Sequence, residues 1–302
     1  MSDAPTVSVI MPVYNGAAYV AQAVESILAQ TWRDYEFIII DDGSTDRSRP
    51  LLEKFARQDA RIRLTSRPNT GIVGALNEAL AQARGGLVAR MDADDVSMPD
   101  RLARQVEFMR SHPEVVAAGA RVRGIDPCGC ELFRSEHKLE HAEIDAELLK
   151  GVGWAIVHPA AMMRREAVER IGRYRAEFQW VEDLDLFLRL GEIGKLANLP
   201  DELLYYRQHT ESVNRTRAAE QASLADACVR EAYRRRGGEA PAGWKFIPKP
   251  KPPPAVQLCT WAWKALGSGN VPAARKHAVA LWKSAPLSVE SWRTLLCAMR
   301  GH

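Results

Sequence analysis

The chain has 302 residues, 46% of them hydrophobic and 26% charged, which is the balance of a globular protein with one large domain or two smaller ones. A formal net charge of +3 is too small to predict a nucleic-acid partner, and no stretch reaches the roughly 18 apolar residues that cross a bilayer. Met1–Pro5 has neither a basic start nor a long apolar run, so no signal peptide is expected and the chain is placed in the cytoplasm; five scattered cysteines, an odd number, argue against a disulfide framework.

Thr6–Met11 is short and β-branched and meets Pro12, as a buried strand does. Across Ala17–Gln30 the apolar residues Val20, Ala23, Val24, Ile27 and Leu28 recur at helical spacing. Phe37–Ile40 reads as a second strand that runs into Asp41-Asp42-Gly43-Ser44. A helix follows to Gln58, with Pro50 in its first turn. Ile62–Thr65 is a third strand, Ile72–Ala83 a helix, and Leu87–Met91 a strand that ends at Asp92-Ala93-Asp94-Asp95. This alternation predicts an α/β fold built on a mostly parallel sheet flanked by helices. Ligands of such sheets sit beyond the carboxyl ends of the strands, where Pro12-Val13-Tyr14-Asn15, Asp41-Asp42 and Asp92-Ala93-Asp94 all fall.

The middle of the chain is less regular. Val115–Arg123 and Glu131–Arg134 read as a hairpin; the turn at Cys128-Gly129-Cys130 is either a run of small residues or a redox or metal pair. A helix is expected over His141–Leu149, an apolar segment at Ala155–Val157 and an amphipathic run at Val181–Leu190. Ala197–Leu199 and Leu203–Tyr206 read as two closing strands. The composition places a catalytic domain at residues 1–236, a Gly/Pro/Lys linker at 237–255 and a small helical appendage at 256–302.

Taken in order, the chain resembles family 2 inverting glycosyltransferases of the GT-A, Rossmann-like fold. The resemblance rests on Val7–Asn15, Glu25–Thr31, Asp41–Asp46, Met91–Asp95, Val181–Asp183 with Leu186–Leu190, and Tyr206–His209, and spans roughly residues 5 to 215. It implies transfer of a sugar from a UDP, dTDP or GDP donor to a hydroxyl of a glycan or lipid-linked acceptor, as in the synthesis of bacterial-type surface polysaccharide or glycolipid. One departure stands out: Leu76 precedes Asn77 where the family often carries arginine, and Arg84 and Arg90 are the candidate substitutes.

The reaction needs the leaving diphosphate stabilised and the acceptor hydroxyl deprotonated. A divalent cation on hard oxygen ligands, Mn²⁺ or Mg²⁺, meets the first need. By resemblance Asp94 is the metal ligand and Asp92 the donor contact, while Asp95 and Asp100 also suit the cap of a helix starting near Pro99. The resemblance also implies that Tyr14 lies against the base, the alternative being a half-buried rim residue, and that Asp42 reads the imino hydrogen, with Pro12 and Asn15 shaping the loop; Asp41, Ser44 and Asp46 equally suit capping. Asp183 is the expected base and Glu182 its support, the alternative being that both acids only cap their helix. Arg207 is a phosphate contact and His209 completes the metal or diphosphate site, or His209 is a surface residue; His158 is a candidate for the acceptor side.

The tail is basic, with Lys264, Arg275, Lys276, Lys283, Arg293 and Arg300 among tryptophans 261, 263, 282 and 292. It suits a peripheral contact on the inner face of the membrane, a helical pair packed on the catalytic domain, or a unit similar to a single tetratricopeptide repeat. A non-catalytic nucleotide-sugar or carbohydrate-binding module is the rival function, since it keeps Tyr14 and Asp42 without needing Asp183. An oxidoreductase is disfavoured because no G-x-G-x-x-G follows the first strand.

Overall fold

The computed structural model describes residues 4–208, 218–247 and 252–301. The chain forms two compact units, one of Met1–Arg121, His137–Leu204 and Glu220–Ile247, the other of Val122–Glu136, Tyr205–Ala219 and Pro248–His302.

In the first unit, strands β1 (Val7–Val13), β2 (Tyr35–Asp41), β3 (Ile62–Ser66) and β4 (Leu87–Arg90) pair in parallel in the order β3-β2-β1-β4. Helices α1 (Val20–Leu28), α2 (Ser48–Gln58) and α3 (Ile72–Gln82) make the crossovers. Strand β2 is buried along its whole length, which is why it reads as a continuous apolar run rather than an alternating one. Pro12 does not end β1: it pairs with Ile40, and the strand continues to Val13. A proline near a strand end gives up one ladder donor only.

Four further elements complete the sheet of this unit: β5 (Val96–Ser97), β6 (Val115–Ile125), β8 (Met162–Arg164) and β9 (Lys195–Arg207), in the order β4-β8-β6-β9-β5. Strand β8 runs antiparallel to both β4 and β6. The two closing strands expected at 197–206 are one strand of 13 residues that passes through Pro200. Between these strands lie α4 (Arg101–Ser111), α5 (His141–Leu148), α6 (Arg165–Arg170) and α7 (Glu182–Gly191), and α8 (Ala218–Arg235) follows β9. The core joins Ile10, Ile38, Leu76 and Leu80 to Phe187 and to Ala225, Cys228, Val229 and Ala232 of α8. Around that core Arg175 bridges Asp185 and Glu231, Arg235 meets Glu192, and Arg236 meets Asp145.

In the second unit, β6 continues past Arg121 and pairs with β7 (Glu131–Arg134). Gly124 is required there because a Cβ would lie 2.0 Å from Cε1 of Phe133. Helices α9 (Pro254–Gly267), α10 (Val271–Ser284) and α11 (Val289–Arg300) follow. Their core is Trp261, Ala262, Ala265, Ala273, Ala274, Ala278 and Ala298, closed by Leu132 of β7. Asn270 ties the pieces together: its Oδ1 accepts from Ala273 N at 3.2 Å and its Nδ2 donates to the Glu131 carbonyl at 2.8 Å. Cys128-Gly129-Cys130 is a turn, with Gly129 at φ 87° and its N–H on the Asp126 carbonyl. No helix among the described residues is long and apolar enough to cross a membrane.

Candidate active site

The carboxyl ends of β1, β2 and β4 open into three loops that hold one another. Asn15 adopts φ 51°, a left-handed conformation that asparagine tolerates, and its side-chain oxygen accepts from Thr45 N at 2.8 Å. In return Asn15 N donates to Ser44 Oγ at 3.0 Å, Gly16 N to Ser48 Oγ at 2.8 Å, and Ala17 N to Asp46 Oδ2 at 3.0 Å. Asp46 also caps Ser48 N at 2.9 Å; burial is the largest single influence on its carboxyl and raises it, and the hydrogen bonds together outweigh burial and hold it below the usual range. The polar residues after β2 therefore clasp the β1 loop. Tyr14, between them, is left 55% exposed, an open aromatic face at the strand end. Gly16 lies against Ala93, since a Cβ on the glycine would sit 3.5 Å from that of the alanine.

Asp42 is buried where β2 ends. Its Oδ1 takes Thr70 N at 3.1 Å and Arg67 Nε at 2.9 Å, and its Oδ2 takes Gly71 N at 2.9 Å. A carboxylate oxygen accommodates two donors, so Oδ2 retains one acceptor direction. Gly71 stands at φ 85° against Gln179, where a Cβ would lie 2.9 Å from Nε2. Gln179 leads into the acids of α7, so the rim closes on itself.

Three carboxylates follow β4: oxygens of Asp92, Asp94 and Asp95 all lie within 4.8 Å of one another. Arg90 sits beneath them, buried, with its guanidinium paired to Asp92. Burial pushes the Asp92 carboxyl up, Arg90 opposes this, and the nearby Asp94 and Asp183 carboxylates add to the rise. One arginine does not neutralise this group. Three hard, clustered oxygen donors in a partly buried site have the chemistry of a Mg²⁺ or Mn²⁺ ligand set. Below Arg90, the buried Arg101 donates to the carbonyls of Arg90 and Ala161 at 2.7 and 3.3 Å; burial and the like charge of Arg90 pull it down to about 9.

Glu182 and Asp183 open α7. Trp180, in the left-handed region at φ 83°, turns its N–H onto Glu182 Oε2 at 2.8 Å. Glu182 is pushed up to about 7, by burial first and then by the adjacent Asp183 carboxylate. Burial also raises Asp183, whose Oδ1 accepts from Leu184 N at 2.8 Å. Asp185, by contrast, is fully buried and held between Arg175 and Arg189. Gly153 packs beside Asp183, with room for a Cβ only 3.5 Å from Oδ2. The next residue, Trp154, is 39% exposed and leans on the His137 ring, centroids 5.6 Å apart.

The structure thus brings Pro12, Tyr14, Asn15, Asp42, Asp92, Asp94, Glu182 and Asp183 onto the first unit's rim or its support. Arg207 belongs to the second unit and donates to the carbonyls of Asp126 and Pro127 at 3.2 and 3.1 Å. His209 lies outside the described residues. His158 is buried and kept neutral by desolvation and by the charge of Arg90, with its Nε2 2.7 Å from Tyr174 Oη. Of the candidates to replace an arginine at position 76, Arg84 pairs with Glu36 at the opposite ends of the strands, and Arg90 lies under Asp92. Asn77 is engaged with the backbone of Tyr174 through both side-chain atoms. Sequence reasoning did not assign Asp95 to the acid group, nor find Arg101 or Trp154. The run Asp92–Asp95 carried the signal for the first; nothing local marks the other two.

Residues 8–172 match the model of "Glycosyl transferase family 2". The putative glycosyltransferase EpsE of Bacillus subtilis is 33% identical over 220 residues, 71% of this chain and 77% of that protein. The amylovoran biosynthesis glycosyltransferase AmsE of Erwinia amylovora is 31% identical over 214 residues, 70% and 79% of the two chains. Among solved structures, S. aureus TarS 1-349 in complex with UDP-GlcNAc superposes with a TM-score of 0.58 at 17% identity, covering 98% of this chain and 92% of that one. The chain spans 55% of a longer TarS structure. The mannosyltransferase PcManGT from Pyrobaculum calidifontis, in complex with GDP-Man and Mn²⁺, gives a TM-score of 0.54 at 21% identity, covering 99% and 81%. The family match takes in the strands up to β8, the clasped loops and Asp92, Asp94 and Asp95, and ends before Glu182 and Asp183; the chain belongs to glycosyl transferase family 2.

Proposed function

We propose that this glycosyltransferase moves a sugar from a nucleoside diphosphate donor onto an acceptor hydroxyl with inversion, in cytoplasmic synthesis of a surface polysaccharide or glycolipid. The observation that carries the proposal is the pair Glu182–Asp183, raised by burial at the start of a rigid helix and electrostatically coupled to Asp92. A binding module needs no such acid. The names of EpsE and AmsE, and the donors in the TarS and PcManGT structures, support the class of reaction and of donor.

Tyr14 receives the base, and Asp42 Oδ2 accepts its imino hydrogen, which suits uracil, thymine or guanine. Asp92, Asp94 and Asp95 would hold Mn²⁺ or Mg²⁺, which supplies Lewis-acid stabilisation of the leaving diphosphate. Asp183 takes the acceptor hydroxyl proton as that oxygen bonds to the anomeric carbon; the bond to the diphosphate oxygen breaks on the opposite face. A single displacement of this kind inverts the centre. A raised carboxyl is a stronger base than a free one, and the neutral form of Glu182 spares Asp183 a second negative neighbour. Trp154, beside Asp183, offers its ring to the acceptor sugar.

Calorimetry with UDP, GDP and dTDP, with and without Mn²⁺, tests the donor site. One nucleotide should bind in a metal-dependent manner, and Asp94→Ala should remove that dependence. Asp183→Asn should keep nucleotide binding and lower transfer by about 10²- to 10⁴-fold, the range for a general base. Transfer within a few-fold of wild type would refute the assignment of the base.

A further inference from the structure

Helix α11 packs Leu295 against its unit's core but turns most of its large apolar side chains the other way. The residues it buries are Ser291, Thr294 and Ala298. Those it exposes are Val289, Trp292, Leu296 and Met299, with Leu287 just before the helix. The exposed set falls at positions i, i+3, i+7 and i+10, one continuous stripe on a 3.6-residue helix. An isolated exposed leucine needs no explanation, whereas a helix that turns most of its large apolar side chains outward and its small polar ones inward does. Leu287 at 97% and Val289 at 84% exposure stand out furthest. Trp292 is fixed within the stripe: its Nε1 donates to the Pro286 carbonyl at 2.9 Å, and its ring meets that of Trp282 edge-on at 5.5 Å.

The charges beside the stripe are two arginines and one acid, Glu290, which follows Val289 and lies 3.7 Å from Arg293. Arg293 and Arg300, both exposed, each follow a stripe residue by one position and so flank it on one side. Residues 254–302 contain six lysines and arginines against Glu290 alone, whereas the whole chain carries only +3, so the rest of the chain is net negative. An apolar ridge with an aromatic anchor and a basic border is complementary to a layer whose surface is anionic and whose interior is apolar. From this we infer that the outward face of α11 docks the protein onto an anionic lipid surface, with Leu287, Val289, Trp292, Leu296 and Met299 entering the headgroup layer and Arg293 and Arg300 meeting the phosphates. The inference does not depend on the transfer chemistry proposed above.

The full chain is mixed with vesicles of phosphatidylcholine alone, or of phosphatidylcholine with about one third phosphatidylglycerol, and the bound fraction is read by flotation. Binding to the anionic vesicles should exceed binding to neutral ones and weaken as salt rises. The double variant Trp292→Ser, Leu296→Ser should lower the partition at least about tenfold, and Arg293→Gln and Arg300→Gln about fivefold each. Because Trp292 also bonds Pro286 and meets Trp282, a second double variant, Val289→Ser, Leu296→Ser, at exposed side chains, should melt as wild type does and still lose partition, which separates lost docking from lost folding. Absence of wild-type binding, equal binding to neutral vesicles, or undiminished binding of either double variant would overturn the inference. So would a wild-type dimer that either double variant abolishes in the absence of vesicle binding, because the stripe would then face a second copy.

Discussion

The second unit buries one carboxylate and the first gathers several at its rim, and the two are treated in opposite ways. In the second unit Asp126 is fully buried and matched: Lys276 Nζ lies 2.6 Å from Oδ2, and Oδ1 accepts from Cys128 N and Cys130 N at 2.8 and 2.9 Å. Those partners outweigh desolvation and hold its carboxyl below the usual range. In the first unit Asp92, Glu182 and Asp183 are pushed up, because burial and one another's charge outweigh Arg90. The first arrangement joins a turn to a helix. The second keeps acids in a state that a cation, or a proton from a hydroxyl, would relieve. Burial alone does not distinguish a structural acid from a reactive one; the balance of its partners does.

The largest test of this contrast is Asp126→Asn. It leaves Lys276, which is 41% exposed, without its counter-charge and should cost about 2 kcal/mol of stability at pH 7, the scale of a charge-assisted hydrogen bond. Because the folded pKa of Asp126 is depressed, its contribution is present above the unfolded value, near 4, and fades as pH falls through the folded one. Denaturant melts of wild type and variant at pH 7 and pH 3 should therefore converge at the lower pH. A constant gap would mean that charge is not what Asp126 contributes.

Glu182→Gln probes the other side of the contrast, and the sign reverses. A carboxyl raised to about 7 adds stability that is full below its unfolded value and lost as pH rises through 7. The amide does not ionise, so the variant should gain on wild type by about 1 kcal/mol or more between pH 5 and pH 8.5. A wild-type protein that keeps its advantage at pH 8.5 would show that Glu182 is matched after all. A third test, on binding rather than stability, is at the residue next to Gly153. Trp154→Ala should raise the acceptor KM about tenfold, a loss of roughly 1.4 kcal/mol of ring contact, with donor affinity unchanged and Trp154→Tyr largely restoring it. Equal changes for donor and acceptor would remove Trp154 from the acceptor side.

The first half of the sheet was legible because its signals are long and local. Val7–Val13 and Tyr35–Asp41 are buried apolar runs, the three crossover helices carry apolar residues at helical spacing, and each strand stops at a polar turn. Strand β8 was not: three residues, Met162–Arg164, make no pattern, and only pairing on both sides makes them a strand. Helix α8 escaped because its buried face is Ala225, Cys228, Val229 and Ala232, too small to stand out among arginines and glutamates. Pro200 suggested a break that the long β9 does not make. In the site, the acids were visible as clusters at strand and helix ends. Their cations were not: Arg90 read only as a candidate substitute for an arginine at position 76 and Arg101 as an ordinary charged residue, and only the folded chain places them under the rim.

The clasp between the β1 and β2 loops bears on how a nucleotide would meet this protein. Asn15, Ser44, Thr45, Asp46 and Ser48 already bond to one another across the two loops. A floppy pair of loops would lose about 1–2 kcal/mol of freedom per residue fixed on binding. Here folding has met that loss in advance, so a ligand settling against Tyr14 finds a rigid cup. Affinity at such a cup is governed by fit rather than by ordering, and an ill-fitting base cannot be rescued by loops that bend to meet it.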